Sequence, residues 1–402
     1  MRVTRELRAA LMGLSAYKTL KEEPLLRELG GLLDALAAGR GEEGLQIYTD
    51  IILALEESGA QGLGDGLLEL LYYRETLYPR ALAGTAGAGV ALTAAARRDV
   101  ETLRQLRQLD SRAVLEELGG LLGPEFAPVL DKLPRWEAGA DFDFESLTAF
   151  YQENGAGLLA QYRAFLWTDG ALIPVAEPDC PDEEEMMGYT LQRDQVIANT
   201  RALIEGRRVN DVLLYGDSGT GKSATVKCLL SLPGFGNLRL IEVQKEGLRD
   251  MPVLIRNLRG RQQKFILFID DLAFDQDDNT YSVVKTILEG GLEKRPDNVA
   301  IYATSNRRLL VRQTFSDREG DEVDLRETIA EKTALSDRFG LRIPYLNLSK
   351  PEFLNLVGQL ADQAQITMDR GELMKAAVKW DMRVPGRTPR GARQFIASLS
   401  LQ

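Results

Sequence analysis

The stretch that most constrains this 402-residue chain is Gly216-Asp217-Ser218-Gly219-Thr220-Gly221-Lys222-Ser223, a complete G-x-x-x-x-G-K-S loop. A short apolar strand, Val212-Leu213-Leu214-Tyr215, runs into it, and an apolar helical run at 224–232 leaves it. That context gives the motif its meaning. Glycines let the backbone wrap closely around an anion, because a Cβ would block the tight turn. Backbone N–H groups and the start of the following helix then face phosphate oxygens. Lys222 would reach the outer phosphates, and Ser223 would hold Mg²⁺ through its hydroxyl. All eight residues are therefore candidate nucleotide-binding positions. A glycine turn matched by chance would lack the strand, the helix and the Lys-Ser pair together.

The chain around this loop divides by pattern. Residues 1–166 read as all-helical. Leu25, Leu26, Leu29, Leu32, Leu33 and Leu36 recur at helical spacing, and similar runs fill 46–57, 66–78, 93–109 and 112–122. Gly and Pro punctuate them, with no fixed repeat period. The stripe Leu67, Leu70, Leu71, Tyr72 and Tyr78 is expected in the core, and Arg97-Arg98 on a solvated face. Residues 167–187 hold Pro174, Pro178, Pro181 and the acidic run Asp182-Glu183-Glu184-Glu185, the composition of an extended linker. From 188 the pattern changes to apolar strands separated by helices: 212–215, 238–243, 265–269, 299–304 and 341–348. Unbroken apolar strands of this kind predict a parallel sheet buried on both faces. The polar stretch 312–332 reads as a long loop. Ser349-Lys350-Pro351-Glu352 is a helix start, with Ser349 as N-cap and Glu352 at N3. The expected architecture is thus α/β: a nucleotide-binding parallel-sheet core at 188–348 and a helical lid at 349–402, preceded by an all-α domain at 1–166.

Composition limits the chemistry. The net charge of −11 argues against a surface built for nucleic acid. Two cysteines, Cys180 and Cys228, make no disulfide framework and fit a reducing compartment. The chain has no histidine, which excludes histidine triads, histidine metal sites and a histidine base. The N-terminus reads as a charged amphipathic segment rather than a signal peptide, and no run reaches the roughly 20 apolar residues of a membrane span. A cytoplasmic location is expected.

Phosphoryl transfer to water needs phosphates held, charge neutralised and a water aimed in line. Asp270 and Asp271 end the apolar run Phe265-Ile266-Leu267-Phe268-Ile269, at the sheet edge where ligands of α/β folds bind. Asp270 would serve the Mg²⁺ and Asp271 would orient or activate the water; simple polar strand termination is the alternative. Asn306 closes the next strand, where a neutral amide could hold water or the γ-phosphate; a turn-forming asparagine is its rival. Arg338, in Ser336-Asp337-Arg338-Phe339-Gly340, could reach a neighbouring subunit's nucleotide, the alternative being a surface pair with Asp337. In Thr388-Pro389-Arg390-Gly391-Ala392-Arg393, Arg390 lies nearest the helix start and is the favoured lid arginine over Arg393.

This ordered set of motifs resembles the AAA+ ATPases: Walker A at 216–223, Walker B ending in Asp270-Asp271, sensor 1 at Asn306, an arginine finger at Arg338 and sensor 2 at Arg390. The resemblance covers residues 188–402. More narrowly, Asn210-Asp211-Val212-Leu213-Leu214-Tyr215-Gly216, Asp270-Asp271-Leu272 and Ala303-Thr304-Ser305-Asn306-Arg307-Arg308 are similar to a bacterial family of stand-alone AAA+ proteins catalogued as a domain of unknown function. Thr388-Pro389-Arg390 resembles the sensor 2 of Holliday-junction motors. The resemblance implies ATP and Mg²⁺ as cofactors, hydrolysis at subunit interfaces of a homo-oligomeric ring, typically a hexamer, and remodelling or loading of a protein partner. The N-terminal helices would recognise that partner. One departure stands out. Asp271 occupies a position that is usually glutamate, as in the DnaA-like replication-initiator branch. The shorter side chain implies slow turnover, or a nucleotide-gated switch or scaffold as the alternative. A loader acting on nucleic-acid complexes is a third reading, disfavoured by the charge.

Overall fold

The computed structural model describes all residues except 1, 85–86, 183–185, 275–279, 290–293, 307–309, 311–334, 385 and 400–402. The expected loop at 312–332 lies outside the described residues. The chain divides into two compact units, Met1–Gln161 with Gly260–Gln262, and Tyr162–Arg259 with Gln263–Gln402.

The first unit is helical, as the leucine spacing predicts. Its main helices are Arg2–Met12, Pro24–Ala38, Gly41–Ser58, Leu63–Tyr73, Leu77–Ala83, Val90–Leu106, Ser111–Leu121 and Phe144–Asn154. Leu29, Leu32 and Leu33 are completely buried, and Leu67, Leu71 and Tyr78 join the same core. Gly39 and Gly59 end two of the helices in left-handed conformation, the usual glycine stop. Pro79 falls in the first turn of the short helix Leu77–Ala83, where its missing N–H costs nothing. Arg97 and Arg98 are exposed yet not merely solvated. Arg97 lies 4.4 Å from the centroid of the Phe144 ring, and Arg98 donates to Gly13 O and Asp99 Oδ1.

Asp99 is the polar keystone of this unit. It is fully buried on Val90–Leu106. Its Oδ2 accepts the N–H groups of Ser15, Ala16 and Tyr17 at 2.7, 2.8 and 3.2 Å. Those donors belong to the turn after the first helix, and the two on Ala16 and Tyr17 would otherwise be buried without partners.

The second unit carries a seven-stranded sheet: β1 (Ala164–Thr168), β2 (Ala171–Val175), β3 (Val212–Gly216), β4 (Leu238–Val243), β5 (Lys264–Ile269), β6 (Val299–Ser305) and β7 (Leu341–Tyr345). The order is β2-β1-β4-β5-β6-β3-β7. Every pairing is parallel except the β1–β2 hairpin. β6 is buried along its whole length and β5 along all but its first residue, as a sheet covered on both faces requires.

β1 and β2 correct the expected linker at 167–187 and the domain boundary at 166. Trp167 is buried within β1, which extends the parallel sheet beyond β4. Asp169 and Gly170, both at positive φ, make the two-residue turn of the hairpin. Pro174 is tolerated because β2 is an edge strand. Proline therefore marks irregular chain here only beyond β2, at Pro178 and Pro181.

The lid consists of helices Lys350–Gln363, Arg370–Arg383 and Pro389–Leu399, closed around Phe353, Val357, Leu373, Ala377 and Phe395. Ser349 and Glu352 form the expected reciprocal capping box.

Asp99→Ala should destabilise the helical unit by about 3 kcal/mol or more, because three backbone donors lose their acceptor. Asp99→Asn, which keeps an acceptor oxygen, should cost less. Denaturant titration followed by the fluorescence of Trp136, which is buried in the same unit, checks both.

Candidate nucleotide site

Parallel pairing sends the C-terminal ends of β5, β6, β3 and β7 to one edge of the sheet. The register is specific: Ile269 faces Ala303, Tyr215 faces Ser305, and Gly216 faces Tyr345. Asp270, Asn306 and the glycine-rich loop are the next residues along, so they meet at this edge.

Three glycines shape the loop, each in a backbone conformation that side chains rarely adopt: Gly216 (φ 137°), Gly219 (φ 77°) and Gly221 (φ 95°). At Gly216 there is also no room. An added Cβ would lie 2.2 Å from Tyr345 O. The next residue, Asp217, donates its N–H to that same oxygen at 2.9 Å. Lys222 is buried, and its Nζ donates to Gly216 O, Asp217 O and Asn306 Oδ1 at 3.0, 2.7 and 3.0 Å. Burial pushes its pKa below the usual lysine value, opposed by the charges of Asp217, Asp271 and Asp270.

Two hydrogen-bonded chains run from the loop to the ends of β5 and β6. In one, Lys222 donates to Asn306, whose Nδ2 donates to Asp271 Oδ1 at 2.9 Å. In the other, Ser223 Oγ donates to Asp270 Oδ1 at 2.6 Å, and Thr304 Oγ1 donates to the same oxygen at 2.5 Å. The Ser223 hydroxyl and Asp270 carboxylate are hard oxygen donors side by side. They suit Mg²⁺, which keeps several waters and takes the rest of its ligands from substrate phosphates. Among the described residues no group of three or more His, Cys, Asp or Glu forms a dedicated metal cage.

The loop, both aspartates and Asn306 line one cavity of about 440 Å³. Arg390 and Arg393 both line it while remaining exposed, so the cavity does not single out Arg390 over Arg393. The two are close to one turn apart on Pro389–Leu399 and therefore share a face. The lid is hydrogen-bonded to the loop: Arg390 N–H donates to Gly219 O at 3.2 Å. A Cβ at Gly219 would come within 3.2 Å of Arg390 Cβ.

Some expected residues are placed elsewhere. Asp217 does not line the cavity; its Oδ2 accepts Asn347 N–H at 2.8 Å, tying the loop to the segment between β7 and the lid. Gly216 sits behind the loop against Tyr345. Arg338 lies outside the cavity, with its guanidinium 2.9 Å from Glu289. Asp337 pairs with Arg342 instead of with Arg338.

Other cavity residues escaped sequence reasoning. Thr304 read only as the last residue of an apolar strand. Gly188, Tyr189 and Arg193 fell at the start of the expected core, just past the supposed linker and with no site role, yet they line the cavity with Tyr345. Tyr189, itself in left-handed conformation, stacks on Tyr345 with ring centroids 5.0 Å apart. Arg193 is buried and donates to the carbonyls of Met186 and Gly188. The change of pattern at Gly188 was the available signal.

With this geometry established, known proteins place the chain. The profile of DUF815, described as a protein of unknown function, matches residues 160–402. The chain belongs to the DUF815 family. Its second unit is a mostly parallel α/β sheet with a glycine-rich loop and a cluster of three helices after the last strand. The match begins just before β1, so the DUF815 region includes the hairpin that sequence reasoning left outside the core. No curated protein matches the chain. Among solved structures, it is similar to the RuvB Holliday junction branch migration motor of Thermotoga maritima, at 17% identity and a TM-score of 0.38, over 54% of this chain and 63% of that one. It is also similar to C. elegans PCH-2, at 16% identity and a TM-score of 0.33, over 55% of this chain and 70% of that one. The chain thus spans under two thirds of the RuvB length it matches.

Gly216→Ala should lower stability by roughly 2 kcal/mol or more, since it combines a strained φ with a backbone clash. A thermal melt of the variant beside the parent measures it.

Proposed function

We propose that this protein binds ATP with Mg²⁺ in the cavity between the sheet edge and the lid and hydrolyses it. The observation that carries this reading is the convergence of Lys222, Ser223, Asp270, Asp271, Asn306 and two lid arginines on one cavity beside a glycine-rich loop. Loop N–H groups and Lys222 would hold the phosphates, with Arg390 and Arg393 closing on them from the lid. Ser223 and Asp270 would hold Mg²⁺, which supplies charge neutralisation at the phosphate oxygens when bound. Asp271, its carboxylate held by the Asn306 amide, would orient the attacking water and receive its proton. Asn306 touches both Lys222 and Asp271, so it would align the phosphate-binding and water-orienting groups with each other.

The same reading extends to assembly. Arg338 precedes β7, the edge strand of the sheet, and lies outside its own chain's cavity. In a homo-oligomeric ring it would act on a neighbouring subunit's nucleotide. The helical unit would recognise a protein partner to be remodelled or loaded. One observation favours a second reading, a slow or non-hydrolysing switch. Asp271 is one methylene shorter than glutamate and sits at φ 50°, so its reach is set by the backbone.

Phosphate release and ATP affinity test the primary reading. Lys222→Ala should weaken ATP binding about 10- to 100-fold, the loss of a charge-assisted hydrogen bond set. Asn306→Ala should bind ATP normally and release phosphate at least about tenfold more slowly. If the parent and Lys222→Ala bind ATP but are equally inert, the switch reading replaces the enzyme. For the interface, Arg338→Ala should retain ATP binding and lose turnover, on the order of the 10³–10⁵ seen where such fingers operate. A variant that hydrolyses normally as a dilute monomer removes Arg338 from that role.

A further inference from the structure

Thr304 is a polar residue of this edge to which the ATPase reading assigns no task. It is the second-last residue of β6 and is 2% exposed. Its hydroxyl makes two contacts at once. It donates to Asp270 Oδ1 at 2.5 Å and accepts the N–H of Asp271 at 2.9 Å. Its carbonyl accepts the N–H of Leu272 at 2.7 Å. A hydroxyl has one proton and two lone pairs, so both contacts are satisfied together. Three consecutive residues beyond β5 are therefore held by one residue of the neighbouring strand.

Two consequences bear on the chemistry. Ser223 and Thr304 both donate to Asp270 Oδ1, and two donors on one oxygen fix the plane of the carboxylate. Asp271, meanwhile, adopts a left-handed backbone conformation. A non-glycine residue persists there only where its surroundings over-determine it, and such positions concentrate at functional sites. The Thr304 hydroxyl on its N–H and the Asn306 amide on its carboxylate supply that determination from both ends.

We propose that Thr304 is the positioning residue of this site. Its hydroxyl orients Asp270 toward the cation and holds Asp271 in the left-handed turn that aims its carboxylate at the water. The proposal rests on the ATPase reading above, and Thr304 acts through the two aspartates rather than on the nucleotide itself.

Valine keeps the shape and strand preference of threonine but leaves the Asp271 N–H without an acceptor and Asp270 with one donor fewer. Serine keeps the hydroxyl. The test compares Thr304→Val and Thr304→Ser in the full chain by ATP affinity without Mg²⁺, by the Mg²⁺ concentration that half-saturates the ATP complex, and by phosphate release. Thr304→Val should bind Mg²⁺-free ATP as the parent does, because Lys222 and the loop are untouched. It should need about tenfold more Mg²⁺ and turn over about 10- to 100-fold more slowly. Thr304→Ser should restore both to within about threefold. Parent-like Mg²⁺ dependence and turnover in Thr304→Val overturn the proposal. So does a loss of Mg²⁺-free binding as large as the loss of turnover, or a serine variant as impaired as valine, since the residue would then serve only the fold. A parent that binds no ATP overturns the ATPase reading itself. In a parent that binds ATP without turning it over, the Mg²⁺ dependence decides alone.

Discussion

The parallel hydrogen-bond ladder of β5, β6, β3 and β7 is the constraint on which the site depends. Side chains alternate faces along a strand, so a slip of one residue would turn every side chain to the opposite face. Thr304 would then point away from Asp270. Asn306, one residue beyond β6, would lose its place beside both Lys222 and Asp271. The ladder is pinned because both faces of the sheet are buried: Ile266, Phe268, Ala300 and Tyr302 share a core on one side with Leu214 and Ile343. A chemically demanding edge is thus held by chemically bland packing.

On that edge, a buried cation is balanced by oxygens instead of by one partner. Lys222 reaches two loop carbonyls and a neutral amide. Asp270 and Asp271 stand nearby and oppose the effect of burial on its charge. Phosphate would meet a lysine already directed at the loop, with Asn306 as a shared link to the carboxylates. The lid closes the other side through Gly219, where the absence of a side chain lets Arg390 approach the backbone. The loop glycines therefore shape the cavity wall and admit the lid.

The helical unit is held together differently. Its periodic leucines bury one another, and its polar interior is concentrated in a few saturated contacts. Asp99 satisfies three backbone donors at a turn. Tyr151 donates to Leu71 O at 2.7 Å, and Tyr48 to Pro134 O at 2.8 Å. These groups are used up in holding loops onto helices. The unit's architecture is thereby explained without assigning it any ligand chemistry.

Much of this was legible in the residues themselves, wherever information is local. The loop glycines, Lys222 and Ser223 form one contiguous motif. The apolar runs ending in Asp270 and Asn306 announce buried parallel strands, and the Ser349–Glu352 cap announces a helix start. The hairpin β1–β2 was written locally too, in Asp169-Gly170, but the prolines and acidic residues of the same stretch outweighed it. No local pattern could contain which polar groups meet across strands. Thr304 is an ordinary threonine in an apolar run until β5 is laid beside β6. Arg393 joins the cavity wall only once the lid helix is docked. Asp217 leaves the cavity because Asn347 is there to receive it. Sequence determined the elements and the loop, because turn geometry and periodicity are properties of neighbours in the chain. Tertiary structure decided the membership of the site, because register and lid packing bring together residues that are tens to more than a hundred positions apart.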